Sequence, residues 1–230
     1  MSTTPPIHQK PLLIFDFDGT LADTLAVGVE VFNEIASDYG LQQVGEDEVE
    51  ELRKLNTRAL LDRMGISRLM AVKMVARIRH KLGKRIDDVP MVDGAEKMIR
   101  ELHAAGFGMG ILSSNAVKNV RRFLSRHDLE SCFHFVEAGA SLFGKGARLK
   151  SILKRERHQA PAVMYVGDET RDMEAARDAG IHGVAVCWGG NGREAMLTED
   201  PDFCVDAPED LVREVMAFVE AGNQINQVLR

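Results

Sequence analysis

The chain has 230 residues, with 29 Lys and Arg against 35 Asp and Glu, a formal net charge of −6. Hydrophobic residues make up 45%, which excludes disorder over the whole length and fits one large domain, or one domain carrying a smaller insert. The acidic balance argues against a protein built to grip nucleic acid or an anionic membrane; an anionic ligand would need local help from Lys, Arg, backbone N–H groups or a cation.

Residues 1–10 (MSTTPPIHQK) hold no apolar stretch of the signal-peptide kind. No apolar run approaches the ~18–20 residues of a membrane span. Cys132, Cys187 and Cys204 are odd in number and none sits at CxxC spacing, so reduced thiols and a cytoplasmic location are expected. The first predicted element is the apolar run 11–15 (PLLIF), a strand buried on both faces, which ends at Asp16-Phe17-Asp18-Gly19-Thr20. Helical periodicity then takes over. Val27, Val31, Phe32, Ile35 and Tyr39 mark one helix; Leu52, Leu55, Leu60, Leu61 and Met64 a second; Met70, Met74, Ile78 and Leu82 a third, with Gly40 and Gly65 as stops between them. Asp93 is placed to cap the next helix, which runs to about Ala105 and stops at Gly106.

From there strands and helices alternate. Strands are predicted over 107–112, 132–137, 162–166, 182–186 and 203–205, and helices over 117–126, 147–156, 171–179 and 209–220. This pattern implies an α/β fold, a parallel sheet with helices on both faces, carrying an inserted helical block after the first strand. The boundaries expected are a core over 10–22 and 90–220, an insert over 23–89 and a polar tail over 221–230.

In such sheets ligands bind beyond the carboxyl ends of the strands. Those ends carry Asp16, Asp18, Gly19 and Thr20; then Ser113, Ser114 and Asn115; then Gly167, Asp168, Glu169 and Asp172; then Trp188, Gly189, Gly190 and Asn191. Lys145, between Gly144 and Gly146, precedes the helix after the third strand. Asp16, Asp18 and Asp168 gathered together require a counter-ion, and hard oxygen ligands suit Mg²⁺. Ser113 offers a hydroxyl to a phosphoryl oxygen and Lys145 a compact positive charge. A cation, a nucleophile and donors for phosphoryl oxygens are the parts of phosphoryl transfer.

These residues carry a resemblance. Asp16-Phe17-Asp18-Gly19-Thr20-Leu21, Ile111-Leu112-Ser113-Ser114-Asn115, Lys145 and Gly167-Asp168-Glu169-Thr170-Arg171-Asp172 resemble, in order, the four motifs of the haloacid dehalogenase-like hydrolase superfamily. The chain looks most like its phosphoglycolate phosphatase-like branch. That likeness implies a Rossmann-like core with the helical insert as a cap. It further implies that Asp16 is the nucleophile forming an aspartyl-phosphate and that Asp18 is the general acid and then base. Mg²⁺ would be held by Asp16, the backbone carbonyl of Asp18 and Asp168, with Asp172 nearby. Ser113, Ser114, Asn115 and Lys145 would serve the phosphoryl group, with Thr20 positioning the loop.

In the insert, Asn56 and Arg58 are the candidate substrate contacts, whereas Arg53 and Lys54 read as a solvated face. Glu169 is a second choice for the metal site. The seven His residues form no pair at i, i+4, so a histidine metal site is not expected. The expected activity is Mg²⁺-dependent hydrolysis of a small phosphorylated metabolite. The alternative is a phosphomutase of the β-phosphoglucomutase type, which shares the core and the covalent intermediate. A phospho-acceptor signalling module is disfavoured by Asp18, since storing a phosphoryl group needs no acid two residues from the acceptor. Neither the particular ester nor the oligomeric state is written in the motifs.

Overall fold

The computed structural model describes residues 11–139, 144–156, 158 and 160–228. The expectation for residues 1–10 therefore lies outside the described residues. Six strands form one parallel sheet in the order β3-β2-β1-β4-β5-β6: β1 (Leu12–Phe15), β2 (Gly108–Leu112), β3 (Phe135–Glu137), β4 (Val163–Gly167), β5 (His182–Val186) and β6 (Phe203–Val205). The strand order reverses at β1 and β4, which places a ligand crevice at their carboxyl ends.

Alternation along the strands sorts the core. Leu13, Phe15, Met109, Ile111, Met164 and Val166 point to one face, where α5 (Ala95–Ala104), α6 (Val117–Arg126) and α10 (Pro208–Val228) pack. Leu12, Ile14, Leu112, Val163 and Tyr165 point to the other, against α7 (Lys145–Glu156) and α8 (Thr170–Ala179). All of β1 is buried, as its uninterrupted apolar run requires.

Between β1 and α5 the chain is helical: α1 (Leu25–Ala36), α2 (Glu46–Arg53), α3 (Thr57–Arg63) and α4 (Arg68–Lys84). Ile35, Ile66, Ala71 and Met74 give this insert a small apolar cluster of its own. Its two connections to the sheet run side by side: Asp23 N donates to Pro90 O and Val92 N to Leu21 O. Arg126 on α6 donates to the carbonyls of Ile86, Asp87 and Val89, tying the returning connection to the core.

Several expected elements shift. The single helix through Leu52 and Met64 is two helices, because Asn56 adopts an extended backbone and its side-chain oxygen accepts from Ala59 N at 2.9 Å, which starts α3 afresh. Gly94, not Asp93, holds the position before α5, with φ at +80°. The strand expected from Cys132 begins at Phe135, since Glu130–Cys132 closes a 3₁₀ turn first. A short helix, α9 (Arg193–Leu197), follows β5 where none was expected. The last helix continues to Val228 across the expected polar tail. Gly222 costs a helix only about 1 kcal/mol, and no proline stands there to stop it. Among the described residues no helix is long and apolar enough to cross a membrane.

Candidate active site

β1 delivers Asp16 to the reversal point, where its N–H donates to Val166 O at 2.8 Å. The chain then turns at Gly19, whose φ is +77°. A Cβ there would lie 2.0 Å from Asp168 Oδ2. Gly189, after β5, is excluded from bearing a side chain for the same reason: its Cβ would lie 2.4 Å from Asp168 Oδ2 and from Gly19 O. Two loops thus close on Asp168 with bare backbone.

Asp16, Asp168 and Asp172 are all buried and offer carboxylate oxygens within 4.8 Å of one another. Lys145 Nζ lies between two of them, 2.5 Å from Asp16 Oδ2 and 2.6 Å from Asp172 Oδ1. Asp16 Oδ1 accepts from Phe17 N at 2.7 Å. Asp168 accepts from Thr20 Oγ1 at 2.8 Å and from Gly190 N at 2.7 Å. Asp172 sits in the first turn of α8, where its Oδ2 accepts from Glu169 N. Tyr165 OH lies 3.4 Å from its Oδ1.

Asp18 stands apart from this cluster. Both of its oxygens accept from Asn115 Nδ2, at 3.0 and 3.1 Å. Asn115 is itself fixed, its Oδ1 accepting from Ala116 N and from Asn119 Nδ2 at 2.9 Å. Ser113 is fully buried, and its Oγ accepts from Asn115 N at 2.9 Å, which leaves its own proton for another acceptor.

The electrostatics follow from burying so many acids. Burial pushes the Asp16 carboxyl up to about 7, against the pull of Lys145 and with a further push from Asp172. Burial also raises Asp18, opposed by its Asn115 hydrogen bond and by the charge of Arg79. Asp168 is driven well above the usual carboxylate range by burial, then by Glu169, Asp16 and Asp172. Burial works against the Lys145 ammonium, but Asp16 and Asp172 override it and hold its pKa above the ordinary lysine value. Asp16, Asp18, Asp168, Glu169 and Asp172 outnumber Lys145, Arg79 and Arg171 by two charges. Three buried carboxylates, no soft ligand and a deficit of two positive charges fit a hard divalent cation.

The expected site residues therefore separate. Asp16, Asp168, Asp172 and Lys145 meet directly, while Asp18, Asn115 and Ser113 form an adjoining chain of hydrogen bonds. Asn115 bonds to Asp18, Thr20 to Asp168, and Ser114 is partly buried beside them. In the insert, Asn56 caps α3 and Arg58 is exposed. Arg53, expected on a solvated face, reaches the core: its Nη2 donates to Cys187 O at 2.7 Å and its Nε to Gly189 O at 2.9 Å. Asn191 answers from the core, donating to Leu55 O at 2.8 Å.

Asn119, Arg79 and Arg171 escaped the sequence reading. Asn119 lies in the first turn of α6, where a buried Asn has no packing use of its own, and its amide reaches back to Asn115 before the helix. Arg171 lies inside the fourth motif and pairs with Glu169. Arg79 flanks the apolar stripe Met74, Ile78 and Leu82, where a basic residue reads as surface. The three cysteines are free thiols, and the Sγ atoms of Cys187 and Cys204 lie 3.3 Å apart.

The chain is similar to known proteins in sequence and in fold. The model of the haloacid dehalogenase-like hydrolase family matches residues 13–186. A phosphoglycolate phosphatase of Synechococcus elongatus is 38% identical over 203 residues, covering 88% of this chain and 96% of its own. A phosphoserine phosphatase of Methanocaldococcus jannaschii is 24% identical over 229 residues, covering 92% and 99%. A solved structure of a haloacid dehalogenase-like family protein from Streptococcus pneumoniae superposes with a TM-score of 0.71 at 18% identity, over 89% of this chain and 98% of that one. With the motif residues assembled at the sheet's reversal point and a family match over most of its length, the chain belongs to the haloacid dehalogenase-like hydrolases.

Proposed function

We propose that the protein is a Mg²⁺-dependent phosphatase whose substrate is 2-phosphoglycolate. The observation that carries the reading is the division between two acids two residues apart. Asp16 is tied to a cation, Lys145, while both oxygens of Asp18 rest on the neutral amide of Asn115, away from the cluster. The first is suited to attack and the second to proton transfer.

In the first step an Asp16 carboxylate oxygen attacks phosphorus and the ester P–O bond breaks. Asp18 gives its proton to the departing oxygen, and the alcohol leaves. In the second step Asp18, now a carboxylate, takes a proton from the water that attacks the aspartyl-phosphate. The acyl P–O bond breaks, Asp16 is regenerated and phosphate leaves. Lys145 and the Ser113 hydroxyl supply positive charge and a donor for the phosphoryl oxygens. Asp16, Asp168, Asp172 and the Asp18 carbonyl are the groups that would hold Mg²⁺, which when bound neutralises the carboxylates and polarises the phosphoryl group. The helical insert α1–α4 would act as a cap that excludes bulk water during the first step. Both relatives named above are phosphatases of small phosphorylated acids, which supports a carboxylate-bearing ester. A cytoplasmic location, where the three thiols stay reduced, completes the reading.

The test is phosphate release from 2-phosphoglycolate and a panel of other small esters, with Mg²⁺ and with chelator. Release is expected to need Mg²⁺, to favour 2-phosphoglycolate and to fall by a factor on the order of 10⁴–10⁶ in Asp16→Asn. Turnover that survives in Asp16→Asn overturns the mechanism, and a preference for an ester without a carboxylate overturns the substrate. An isomerised sugar phosphate in place of free phosphate would make the protein a mutase.

A further inference from the structure

One cation at this site belongs to none of the four motifs. Arg79 lies on α4, in the insert, one turn before Gly83, where a Cβ would lie 2.4 Å from Asn119 Nδ2; Asn119 holds the Asn115 that donates to both oxygens of Asp18. The charges that act on Arg79 are Arg171, then Asp18, Glu169 and Asp16. Its Nη2 is buried and, among the described residues, has no hydrogen-bond partner. A buried guanidinium nitrogen left without an acceptor is uncommon, because its lost hydration is normally replaced by a carboxylate, a carbonyl or a ligand.

The neighbouring cations each face an acid or a carbonyl, although Arg171 Nε, set against Glu169, makes no aligned hydrogen bond among the described residues. Lys145 is shared by Asp16 and Asp172, Arg171 pairs with Glu169, and Arg53 is bonded to Cys187 O and Gly189 O. Asp18 has both oxygens on Asn115, which is held by Asn119 against α4. Arg79 therefore brings donors from the insert to the acid that protonates the leaving oxygen. The phosphoryl-binding groups, Ser113 and Lys145, come from the sheet. Donors beside Asp18 on the insert side meet the leaving group rather than the phosphoryl group. A planar guanidinium is matched in shape and charge by a carboxylate.

Resting on the phosphatase reading above, we propose that Arg79 is the specificity-determining residue that receives the leaving group's carboxylate. The substrates it selects are small esters in which a carboxylate lies within a carbon or two of the phosphorylated oxygen. Esters of the same size with an uncharged end leave the guanidinium unpaired and are turned over less well.

The experiment compares 2-phosphoglycolate with ethyl phosphate, which replaces the carboxylate by a methyl group. kcat and KM are measured for the parent protein, Arg79→Met and Arg79→Lys. The parent is expected to favour 2-phosphoglycolate. Arg79→Met is expected to lose about 100-fold in kcat/KM on that ester, mainly through KM, and about tenfold less than that on ethyl phosphate, where only its effect on Asp18 is felt, so that the preference between the two esters collapses. Arg79→Lys, which keeps the charge but not the fork, is expected to recover part of the loss. Turnover of ethyl phosphate shows in the same assay that each variant is folded.

Equal losses on both esters, with a shifted pH profile, overturn the proposal and make Arg79 a positioning residue for Asp18. An unchanged preference in Arg79→Met overturns it and leaves the substrate reading intact. A parent that hydrolyses both esters without preference overturns the substrate reading and this proposal together. A parent that hydrolyses neither overturns the phosphatase reading and, with it, this one.

Discussion

The two walls of the site are built on different terms. On the sheet side nearly every polar group is satisfied by another: Lys145 between Asp16 and Asp172, Thr20 and Gly190 on Asp168, Asn115 on Asp18, Asn119 on Asn115. On the insert side a few groups reach across, mostly to main-chain carbonyls, Arg53 on Cys187 and Gly189, Asn191 on Leu55, with Thr57 meeting the Thr170 hydroxyl. A wall that stabilises developing charge must be rigid before the substrate arrives, and mutual hydrogen bonding makes it so. A wall that must open and close is better held by a few contacts that break without orphaning a side chain on the other face.

The largest blow to the sheet wall is to remove its central cation. Lys145→Met leaves Asp16 and Asp172 buried beside each other with nothing between them. In chelator at pH 7.5 the variant is expected to lose about 3–5 kcal/mol of stability, the usual cost of breaking a buried ion pair from one side. Urea unfolding measures this. The deficit is expected to shrink at pH 5, where Asp16 takes up a proton and the repulsion is relieved, and to shrink again with Mg²⁺. A deficit independent of both pH and Mg²⁺ would mean that Lys145 acts by packing alone.

The same wall makes cation binding depend on pH. The Asp16 carboxyl is raised from about 3.9 in an unfolded chain to about 7 here. Its stabilising contribution is complete below the unfolded value and is lost as pH rises through about 7, so the chelated protein is expected to weaken across that window. Mg²⁺ needs the ionised form. Its affinity is therefore expected to rise by about tenfold per pH unit for each proton displaced, with the share owed to Asp16 levelling off above about pH 7.5. Thermal shifts with Mg²⁺ at pH 5.5, 6.5 and 7.5 test this, and a shift that does not grow with pH would remove Asp16 from the metal site.

On the insert side the effects should be smaller and kinetic. Arg53→Ala deletes two charge-assisted bonds to the core but buries no orphaned charge, since both acceptors are carbonyls. Phosphate release is expected to fall by about three- to tenfold, with a higher KM. Faster proteolysis within the insert, with the sheet untouched, would place the fault in docking. A melting temperature lowered throughout would assign Arg53 to the core instead.

The same contrast explains what the sequence made legible. The sheet wall could be read because each of its groups sits next to a strand end: Asp16 after an unbroken apolar run, Ser113 after another, Asp168 after a third. Lys145, set off by glycines, opens α7. Local pattern fixes the strand, and the parallel fold brings the ends together. The insert wall is tertiary. Arg53 ends a helix of acidic neighbours and reads as surface until α2 is docked against the loop after β5. Arg79 is one of many basic residues on α4 until that helix is set against Asn119 and the Asn115 it holds. The split of the second helix was equally hidden, because the leucine spacing continues straight through the break at Asn56.

Asn56 offers the smallest and most discriminating change. As a residue of the insert near the cleft it qualifies as a substrate contact, yet its side-chain oxygen accepts from Ala59 N and begins α3. The two roles use opposite ends of the amide. Capping needs the oxygen, which aspartate also provides, whereas donation to an anionic substrate needs the nitrogen, which aspartate lacks. Asn56→Ala is expected to cost about 1 kcal/mol, a fall of about 2–4 °C in Tm, with KM unchanged. Asn56→Asp is expected to restore stability without disturbing KM, because the cap is retained and the helix start favours a negative charge. A KM that rises sharply in Asn56→Asp, with Tm at the parental value, would instead put the amide nitrogen on the substrate and give the insert a second recognition group beside Arg79.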